Sequence, residues 1–330
     1  MKAILNRLYH HERLSKSEAK KILVDIASEK YNEAHLASFM TVFMMRPITV
    51  DELSGFRNAL KELSIKVDLS EFDTIDIVGT GGDGKDTFNI STLTSFIVAG
   101  TGQKVAKHGN YSVSSQSGSS DMLANFGYTF TNNESELRSH LEKANICFLH
   151  APKFHPAMKA VGPTRKALAL KTFFNMLGPL VNPSSPKNQL LGTFNMEIAR
   201  LYNYILQEEN INYGIVHALD GYDEISLTKG TKIYSRESEF ILESKDFNLQ
   251  DIVSNKIPGG KNIESSSKIF MDVLKANASL EQENVVCANA ALAIAISKNM
   301  SIIEAFMIAK ESIKTKNALK CFNNLINVMQ

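Results

Sequence analysis

The sequence predicts an α/β fold, with a small all-helical domain followed by a larger α/β domain built on a central, mostly parallel sheet. Two patterns support this prediction. Residues 1–66 carry only helical periodicity and helix-capping residues. After residue 70, short apolar runs of strand type alternate with helical patterns, which is typical of a parallel sheet covered on both faces. A chain of 330 residues is also long enough for two domains.

Composition limits the function classes. The net charge of +1 and the lack of a basic run argue against a nucleic-acid-binding surface. No apolar run approaches the roughly 20 residues of a membrane helix, and the apolar part of the N-terminus is too short for a signal peptide. Three widely spaced cysteines argue against disulfides or a zinc site. We therefore expect a cytoplasmic protein with neither a membrane nor a nucleic acid as partner.

The N-terminal helices have clear start signals. Ser15 with Glu18, and Thr49 with Glu52, form two predicted capping boxes, and Asn32 is a predicted cap between them. Each of the three signals precedes a helical pattern, so we expect a helix to begin directly after each one.

The helix after Asn32 has an unusually apolar face, formed by Phe39, Met40, Phe43 and Met44. This face is either buried in the core of the helical domain or is an interface with a second subunit. Methionine and phenylalanine suit both environments.

Residues 76–121 carry the main binding signals. A strand at 75–78 precedes a glycine turn at 79–84, and Asn89–Thr92 precede an apolar helix. A second strand at 104–107 leads into a loop of glycines and serines. Glycines allow close approach of the backbone, and a helix N-terminus offers free N–H groups, so we expect a phosphate-bearing ligand. The turn matches neither a Walker A loop nor a clean G-x-G-x-x-G motif.

The remaining elements continue the alternation and end in two helices. We predict a helix at 134–145, a strand at 146–150, a helix at 166–177, strands at 190–194 and 214–219 with a helix at 196–209 between them, and helices at 287–296 and 302–313.

Asp83 lies inside the predicted anion site, where a carboxylate would repel a bare phosphate. It could accept hydrogen bonds from sugar hydroxyls or an amine, face a cation, or simply shape the turn. The lysines and acids of residues 79–120 leave about one net positive charge, too little for a polyphosphate. Asp223 and Glu224 follow a predicted strand and could supply a Mg²⁺ site, although such a pair can also be merely solvated.

Four blocks, in order and over nearly the whole chain, resemble the anthranilate phosphoribosyltransferase family of tryptophan biosynthesis, which has the nucleoside phosphorylase, or class III phosphoribosyltransferase, type of fold. They are Gly79-Thr80-Gly81-Gly82-Asp83 with Asn89-Ile90-Ser91-Thr92, then Lys107-His108-Gly109-Asn110, then 154–158 through 162–165, and Asp220-Gly221-Tyr222-Asp223-Glu224. The resemblance implies transfer of phosphoribosyl from phosphoribosyl pyrophosphate (PRPP) to anthranilate, with Mg²⁺ as cofactor.

The resemblance also implies the roles of individual residues. Gly79, Asn110, His155 and Arg165 correspond to anthranilate contacts, and Ser91, Asp223 and Glu224 to metal ligands. No residue is assigned as a general base, His108 and His155 included. The implied PRPP contacts are Gly79, Thr80, Gly82, Asp83, Thr87, Asn89, Ile90, Ser91, Thr92, Lys107, His108, Gly109, Asn110, Ser114, Ser115 and Ser119.

The implied domains are discontinuous. Residues 1–68 plus about 166–185 form the helical domain, on the anthranilate side, and 70–165 plus 186–330 form the α/β domain, which binds PRPP and metal. The family dimerises through the helical domain, which favours the interface interpretation of the face with Phe39 and Met44.

Two positions depart from the family pattern. Tyr111 and Gln116 stand where the family usually has cations near the pyrophosphate. Losing two positive charges near a polyanion predicts weaker PRPP binding or an unusual Mg²⁺ dependence.

Two other functions stay open from the sequence. One is a fold relative that transfers ribose to or from another aromatic base, and the other is a silent homologue that binds nucleic acid. Arg165, Asn110 and the pair Asp223–Glu224 argue against both.

Overall fold

The protein is described here by a computed structural model that covers residues 1–112 and 118–328. In chain order, the described α-helices are α1 (Lys2–Tyr9), α2 (Lys16–Ala27), α3 (Glu33–Met45), α4 (Val50–Leu63), α5 (Ile90–Gly100), α6 (Ser119–Asn125), α7 (Glu134–Ala144), α8 (Ala151–Phe154), α9 (Gly162–Leu168), α10 (Phe174–Leu177), α11 (Met196–Gln207), α12 (Ile263–Leu274), α13 (Leu280–Lys298), α14 (Ile302–Lys314) and α15 (Asn317–Asn327). The strands are β1 (Thr74–Gly79), β2 (Lys104–Gly109), β3 (Ile146–His150), β4 (Asn188–Gly192), β5 (Asn212–Ala218), β6 (Thr231–Ser235) and β7 (Glu239–Leu242).

All seven strands form one sheet in the order β3-β2-β1-β4-β5-β6-β7. The first five strands of that order are parallel, and the pairs β5–β6 and β6–β7 are antiparallel. The predicted mostly parallel sheet is therefore confirmed. The hairpin of β6 and β7 was not predicted. Strand β7 has only four residues, Glu-Phe-Ile-Leu, and these do not alternate between polar and apolar side chains.

The parallel strands end at one edge of the sheet, and this edge carries the predicted binding residues. Strand β1 ends at Gly79, which pairs in register with Gly192 of β4, and β2 ends at Gly109, which pairs with His150 of β3. Helix α5 begins just beyond β1 and is buried along nearly its whole length. Its apolar burial fixes the N-terminus of α5 against the sheet.

The chain divides into two compact units. One, the helical unit, comprises 1–66 and 151–185, and the other, the α/β unit, begins with 67–150 and resumes at 186. The second segment of the helical unit differs from the predicted one, which began at about 166. The Ile65 N–H donates to the Phe154 carbonyl at 2.8 Å, and this bond ties the segment to the N-terminal helices from residue 151 onward.

The helical unit confirms the predicted caps. Ser15 and Thr49 form complete capping boxes with Glu18 and Glu52, and the Asn32 side chain accepts a hydrogen bond from the His35 N–H. These bonds satisfy backbone groups that the helix itself leaves free.

The apolar face of α3 lies mostly inside the unit. Phe39 is fully buried, and its ring packs edge-on against Phe43 and Phe56 at centroid distances of 5.1 and 5.9 Å. At the C-terminal end of α3, Met44 and Met45 are exposed, by 40% and 83%. The interpretation of the whole face as an interface is therefore wrong for Phe39, Met40 and Phe43.

The predicted single helix at 166–177 is also wrong. Helix α9 ends at Leu168, where Ala169 adopts a left-handed conformation with φ of 51°, and α10 starts only at Phe174. An apolar 3.6-residue pattern does not reveal such a break, because alanine is a strong helix former.

The described helices were also compared with the length of a membrane span. Within residues 1–112 and 118–328, no single helix is long and apolar enough to cross a membrane. The pair α13 and α14 reaches that length and composition together, but the two helices are bent by 118°.

Candidate active site

The glycine turn after β1 adopts a conformation that needs its glycines. Gly81, Gly82 and Gly84 have φ values of 61°, 76° and 72°. L-residues with side chains rarely adopt this left-handed region. The turn therefore depends on these glycines, and Asp83 lies between two of them.

Asp223 sits in a notch made by two glycines. A Cβ at Gly79 would lie 2.6 Å from the Asp223 Oδ2, and a Cβ at Gly192 would overlap the Asp223 carbonyl oxygen. Because Gly79 and Gly192 are paired across β1 and β4, the missing side chains leave one continuous space for the aspartate. Gly79 and Asp223 are predicted from the sequence, whereas Gly192 is not.

Hydrogen bonds join the glycine turn to the loop of residues 220–224, here called the acidic loop. The Gly81 N–H donates to the Asp223 Oδ2 at 2.9 Å, and the Thr87 hydroxyl lies 3.5 Å from the Glu224 Oε2. The Ser91 backbone N–H, at the start of α5, donates to the Glu224 carboxylate. Residues about 140 positions apart in the sequence thus form one arrangement.

This arrangement concentrates negative charge. Burial, followed by the charge of Asp83, raises the pKa of Asp223, and burial, followed by the charge of Asp223, raises the pKa of Glu224. A hydrogen bond between the side chains of Asp83 and Asp223 also raises the pKa of Asp223. The backbone donors and the nearby buried lysine do not offset burial, so these carboxylates lack enough positive charge to stabilise their ionised forms.

A small cavity of about 20 Å³ opens beside the acidic loop. Its lining is Ile77, Val78, Gly79, Ser91, Thr94, Leu190, Gly192, Val216, Asp223, Glu224 and Asn289. The three predicted metal ligands, Ser91, Asp223 and Glu224, thus share one cavity. Within residues 1–112 and 118–328, no group of three or more His, Cys, Asp or Glu side chains is placed to hold a metal ion. A cation bound here would need oxygen ligands from water or phosphate, as Mg²⁺ commonly does.

Lys107 lies beneath the site rather than at its surface. It is 2% exposed, and its Nζ donates to the Ile77 carbonyl at 2.5 Å. Burial lowers its pKa to about 8, against the charges of Asp76 and Glu224, which raise it. In this geometry Lys107 acts on the acidic loop through its electric field, and its contact with pyrophosphate stays a prediction.

The start of α5 presents backbone groups rather than side chains. Ile90 and Thr92 are each 1% exposed, and the Ile90 N–H donates to the Phe88 carbonyl at 2.5 Å, so a ligand contact at Ile90 stays a prediction. Asn89 is at the N-cap position, but its side chain makes no capping bond and lies 3.5 Å from the Gly118 carbonyl. The Asn89 side chain therefore does not cap α5.

The second predicted loop follows β2. Ser119 Oγ lies 3.4 Å from the Asn110 carbonyl, and a Cβ at Gly109 would collide with the same hydroxyl. The Asp121 carboxylate accepts the N–H groups of Ser112 and Gly118, each at 2.8 Å. Ser114, Ser115 and Gln116 lie outside the described residues.

Tyr111 belongs to an aromatic cluster at this loop. Its ring is edge-on to His150 at 4.8 Å, and His150 stacks on Phe130 at 4.3 Å. The His150 Nδ1 is 2.9 Å from the hydroxyl of Ser120, in the first turn of α6. Tyr111, 46% exposed, thus contributes packing where the family usually has a positive charge.

The helical unit carries the predicted anthranilate residues Arg165 and His155. The Arg165 guanidinium lies 5.5 Å from the ring centre of Phe174 and 3.5 Å from the Asn175 Oδ1, and burial lowers its pKa. His155 is 4% exposed, and burial, followed by the charge of Lys66, lowers its pKa to about 4. Both side chains are bases held in surroundings that disfavour positive charge.

Comparison with known proteins covers the whole chain. The glycosyl transferase family a/b domain matches residues 71–319, and the helical bundle domain of the same family matches residues 2–64. The anthranilate phosphoribosyltransferase of Flavobacterium johnsoniae is 56% identical over 98% of both chains. That of Christiangramia forsetii is 55% identical over the full length of both.

Comparison with solved structures points to the same family. The anthranilate phosphoribosyltransferase of Thermus thermophilus superposes with a TM-score of 0.91 at 26% identity, over 99% of both chains. The Saccharomyces cerevisiae enzyme in complex with PRPP and Mg has a TM-score of 0.90 at 28% identity, over 98% of this chain and 96% of that one. Its complex with 4-fluoroanthranilate has a TM-score of 0.88 at 27% identity, with the same coverage. The chain therefore belongs to the anthranilate phosphoribosyltransferase family.

Proposed function

We propose that this chain transfers the phosphoribosyl group of PRPP to the amine of anthranilate and releases pyrophosphate, as a step of tryptophan biosynthesis. The observation that carries the proposal is the acidic loop seated beside the glycine turn, where burial and the charge of neighbouring acids raise the pKa of both Asp223 and Glu224. The full-length match to anthranilate phosphoribosyltransferases supports it over transfer to another aromatic base and over nucleic-acid binding.

The donor set fits Mg²⁺. Asp223 and Glu224 are buried carboxylates with raised pKa values, and the charge of Asp83 raises the pKa of both. Carboxylates together with phosphate oxygens and water are the usual Mg²⁺ ligands. In this proposal Asp223, Glu224 and Ser91 hold the ion, which, when bound, neutralises charge on the departing pyrophosphate.

The protein's own groups position the two substrates. In this proposal the glycine turn and the start of α5, which lie at the carboxyl edge of the sheet, bind phosphate oxygens through backbone N–H groups other than those of Gly81 and Ser91, which donate to the acidic loop. Arg165 can pair with the anthranilate carboxylate, which would also supply the negative charge that its buried guanidinium lacks.

Chemically, the anthranilate nitrogen forms a bond to C1 of the ribose while the bond from C1 to the pyrophosphate oxygen breaks. The bonding electron pair leaves with pyrophosphate. The nitrogen then loses one proton, which is acidic once the new bond exists, so a strong general base is not needed. The proposal therefore assigns catalysis to positioning and charge stabilisation.

The test mixes the protein with PRPP, Mg²⁺ and anthranilate and follows the loss of anthranilate fluorescence. We expect turnover that falls at least about 100-fold when Mg²⁺ is omitted or when Asp223→Asn is combined with Glu224→Gln. The control pair Glu208→Gln with Glu209→Gln, at the end of α11, should keep wild-type turnover. Full activity in the Asp223–Glu224 variant would refute the metal assignment, and no turnover in the wild type would refute the function.

We further infer that the chain forms a homodimer through the helical unit. The exposed end of α3, Met44 and Met45, is the apolar surface that supports this, because the rest of the face is buried in the unit itself. Light scattering should give twice the mass of one chain, and Met45→Glu should reduce it. A monomeric wild type would refute the inference.

We place the reaction in the cytoplasm. Cys147, Cys287 and Cys321 are all buried and free of disulfides, which suits a reducing compartment. Recovery of the native protein from the secreted fraction of its cells would contradict this.

A further inference from the structure

We propose that Asn289, on α13, is a positioning residue that holds the acidic loop in the geometry in which it receives Mg²⁺ and PRPP. The inference rests on the proposed function. No binding motif in the sequence includes Asn289, and the side chain reacts with nothing itself. It acts through Ile225, the residue that directly follows Glu224.

Asn289 clamps both backbone groups of Ile225. Its Oδ1 accepts the Ile225 N–H at 3.0 Å, and its Nδ2 donates to the Ile225 carbonyl at 2.9 Å. The second Nδ2 hydrogen points to the carbonyl of Val285, one turn earlier in α13, also at 2.9 Å. The amide therefore joins the loop to the helix as a neighbouring strand would join another strand.

The clamp acts on the residue next to Glu224. The Ile225 N–H belongs to the peptide unit that links it to Glu224, so fixing that N–H fixes the backbone from which the Glu224 side chain projects. On the other side of the pair, Gly79 and Gly192 leave the space that holds Asp223. Asn289 also lines the cavity beside the two carboxylates.

Asn289 is a buried polar residue among buried alanines of α13. Its neighbours Ala288, Ala290 and Ala291 are fully buried, and Asn289 itself is only 5% exposed. A buried amide is tolerated when its hydrogen bonds are satisfied, and here one acceptor bond and two donor bonds are made. A contact that served packing alone could be made by an apolar side chain.

Asn188 provides a matched control. It is also buried, at 1% exposure, and its amide donates to Asp73 Oδ1 at 3.1 Å and to the Thr74 carbonyl at 3.3 Å, while its Oδ1 accepts from Asn212 at 3.0 Å. It lies at the start of β4, whereas the acidic loop follows the carboxyl ends of the strands. Its loss should therefore affect stability without reaching the site.

The test measures PRPP binding by calorimetry at saturating Mg²⁺ without anthranilate, so that no turnover occurs. We expect Asn289→Ala to raise the Kd for PRPP about tenfold, because two backbone hydrogen bonds to the loop are lost. Both variants should lower the Tm by a similar amount, and Asn188→Ala should leave the Kd for PRPP unchanged. An unchanged Kd in Asn289→Ala, with a Tm lowered as in the control, would overturn the inference.

A second pair of variants covers a failure to fold. Asn289→Gln keeps a neutral amide but displaces it by one methylene, so we expect it to fold and to bind PRPP more weakly than Asn188→Gln does. Equal Kd values for the two would overturn the inference. If the wild type binds PRPP and consumes anthranilate, either negative result refutes only the role of Asn289. A wild type that does neither refutes the proposed function as well.

Discussion

Buried acids surround the predicted metal site of the α/β unit, whereas buried bases mark the predicted anthranilate residues of the helical unit. Burial raises the pKa of Asp223 and Glu224, and it lowers the pKa of Arg165 and His155. In each unit, then, the folded protein holds groups whose charged forms are disfavoured by their own surroundings. The opposite direction of these pKa shifts is consistent with the proposed ligands, a cation in the α/β unit and a carboxylate in the helical unit.

The largest effect should come from filling the notch that holds the acids. Gly192→Ala places a methyl group on the Asp223 carbonyl oxygen, so we expect about 2 to 3 kcal/mol of lost stability and at least about 100-fold lower turnover. Thermal unfolding and the fluorescence assay measure the two effects. The control is Gly178→Ala, where nothing lies within 4 Å of the added Cβ and the backbone is already helical. Normal activity in Gly192→Ala would show that the acids do not depend on the notch.

The buried base His155 should make stability fall in acid. Its pKa lies at about 4 in the folded protein against an ordinary value of 6.5, so the unfolded chain binds the proton first as pH drops. Between pH 7 and pH 5 the wild type should therefore lose about 2 kcal/mol of unfolding free energy through this residue.

His155→Gln removes that contribution, so its denaturation midpoints should depend less on pH than those of the wild type. The exposed residue His10 serves as control, and His10→Gln should follow the wild-type curve. Parallel curves for His155→Gln and the wild type would contradict the lowered pKa.

Arg165 tests whether a carboxylate is what the helical unit lacks. Arg165→Met keeps the length and removes the charge, so we expect the KM for anthranilate to rise about 30-fold with a smaller change in kcat. Arg57, whose Nε donates to the Leu180 carbonyl at 3.1 Å, is a buried arginine with a structural bond. Arg57→Met should lower the Tm and leave that KM unchanged. Similar KM values for the two variants would argue against the pairing.

We expect the smallest effect from adding a positively charged side chain to the α/β unit. Tyr111→Arg restores the charge that the family usually has at this position, at the cost of the ring contact with His150. We expect the KM for PRPP to fall about threefold, the range of an exposed ion pair. Tyr204→Arg, on an exposed part of α11, should have no effect. A KM for PRPP that does not change in Tyr111→Arg would mean that the missing cation is compensated elsewhere.

The sequence was sufficient for elements with local signals. Capping boxes involve residues three apart, and the glycine turn is contiguous, so both are predictable from neighbouring residues alone. The pairing of Gly79 with Gly192 depends on strand order and register, and a single glycine at the end of β4 carries no sign of it. The left-handed Ala169 that ends α9 is equally invisible, because tertiary packing overrides the helix propensity of alanine.

Burial was the other quantity that the sequence left open. Phe39 was compatible with a core or an interface, and only its contacts with Phe43 and Phe56 decide for the core. Lys107 matched a phosphate-binding pattern, yet its ammonium is directed at a backbone carbonyl. Asn289 had no local signal, since one asparagine in an alanine-rich helix is ordinary until its partners are known.

The clamp between Asn289 and Ile225 has a consequence for biosynthesis. During translation, the chain is made from its N-terminus to its C-terminus, and domains generally fold as they emerge from the ribosome. The glycine turn and β4 leave the ribosome long before α13, so the acidic loop cannot be fixed until nearly the whole chain has been made. A ribosome-bound chain that ends before residue 289 should have most of the sheet but lack the clamp, so we expect it to bind PRPP at least about tenfold more weakly than the finished protein. Substrate should therefore stabilise the early folding steps less than it stabilises the finished protein.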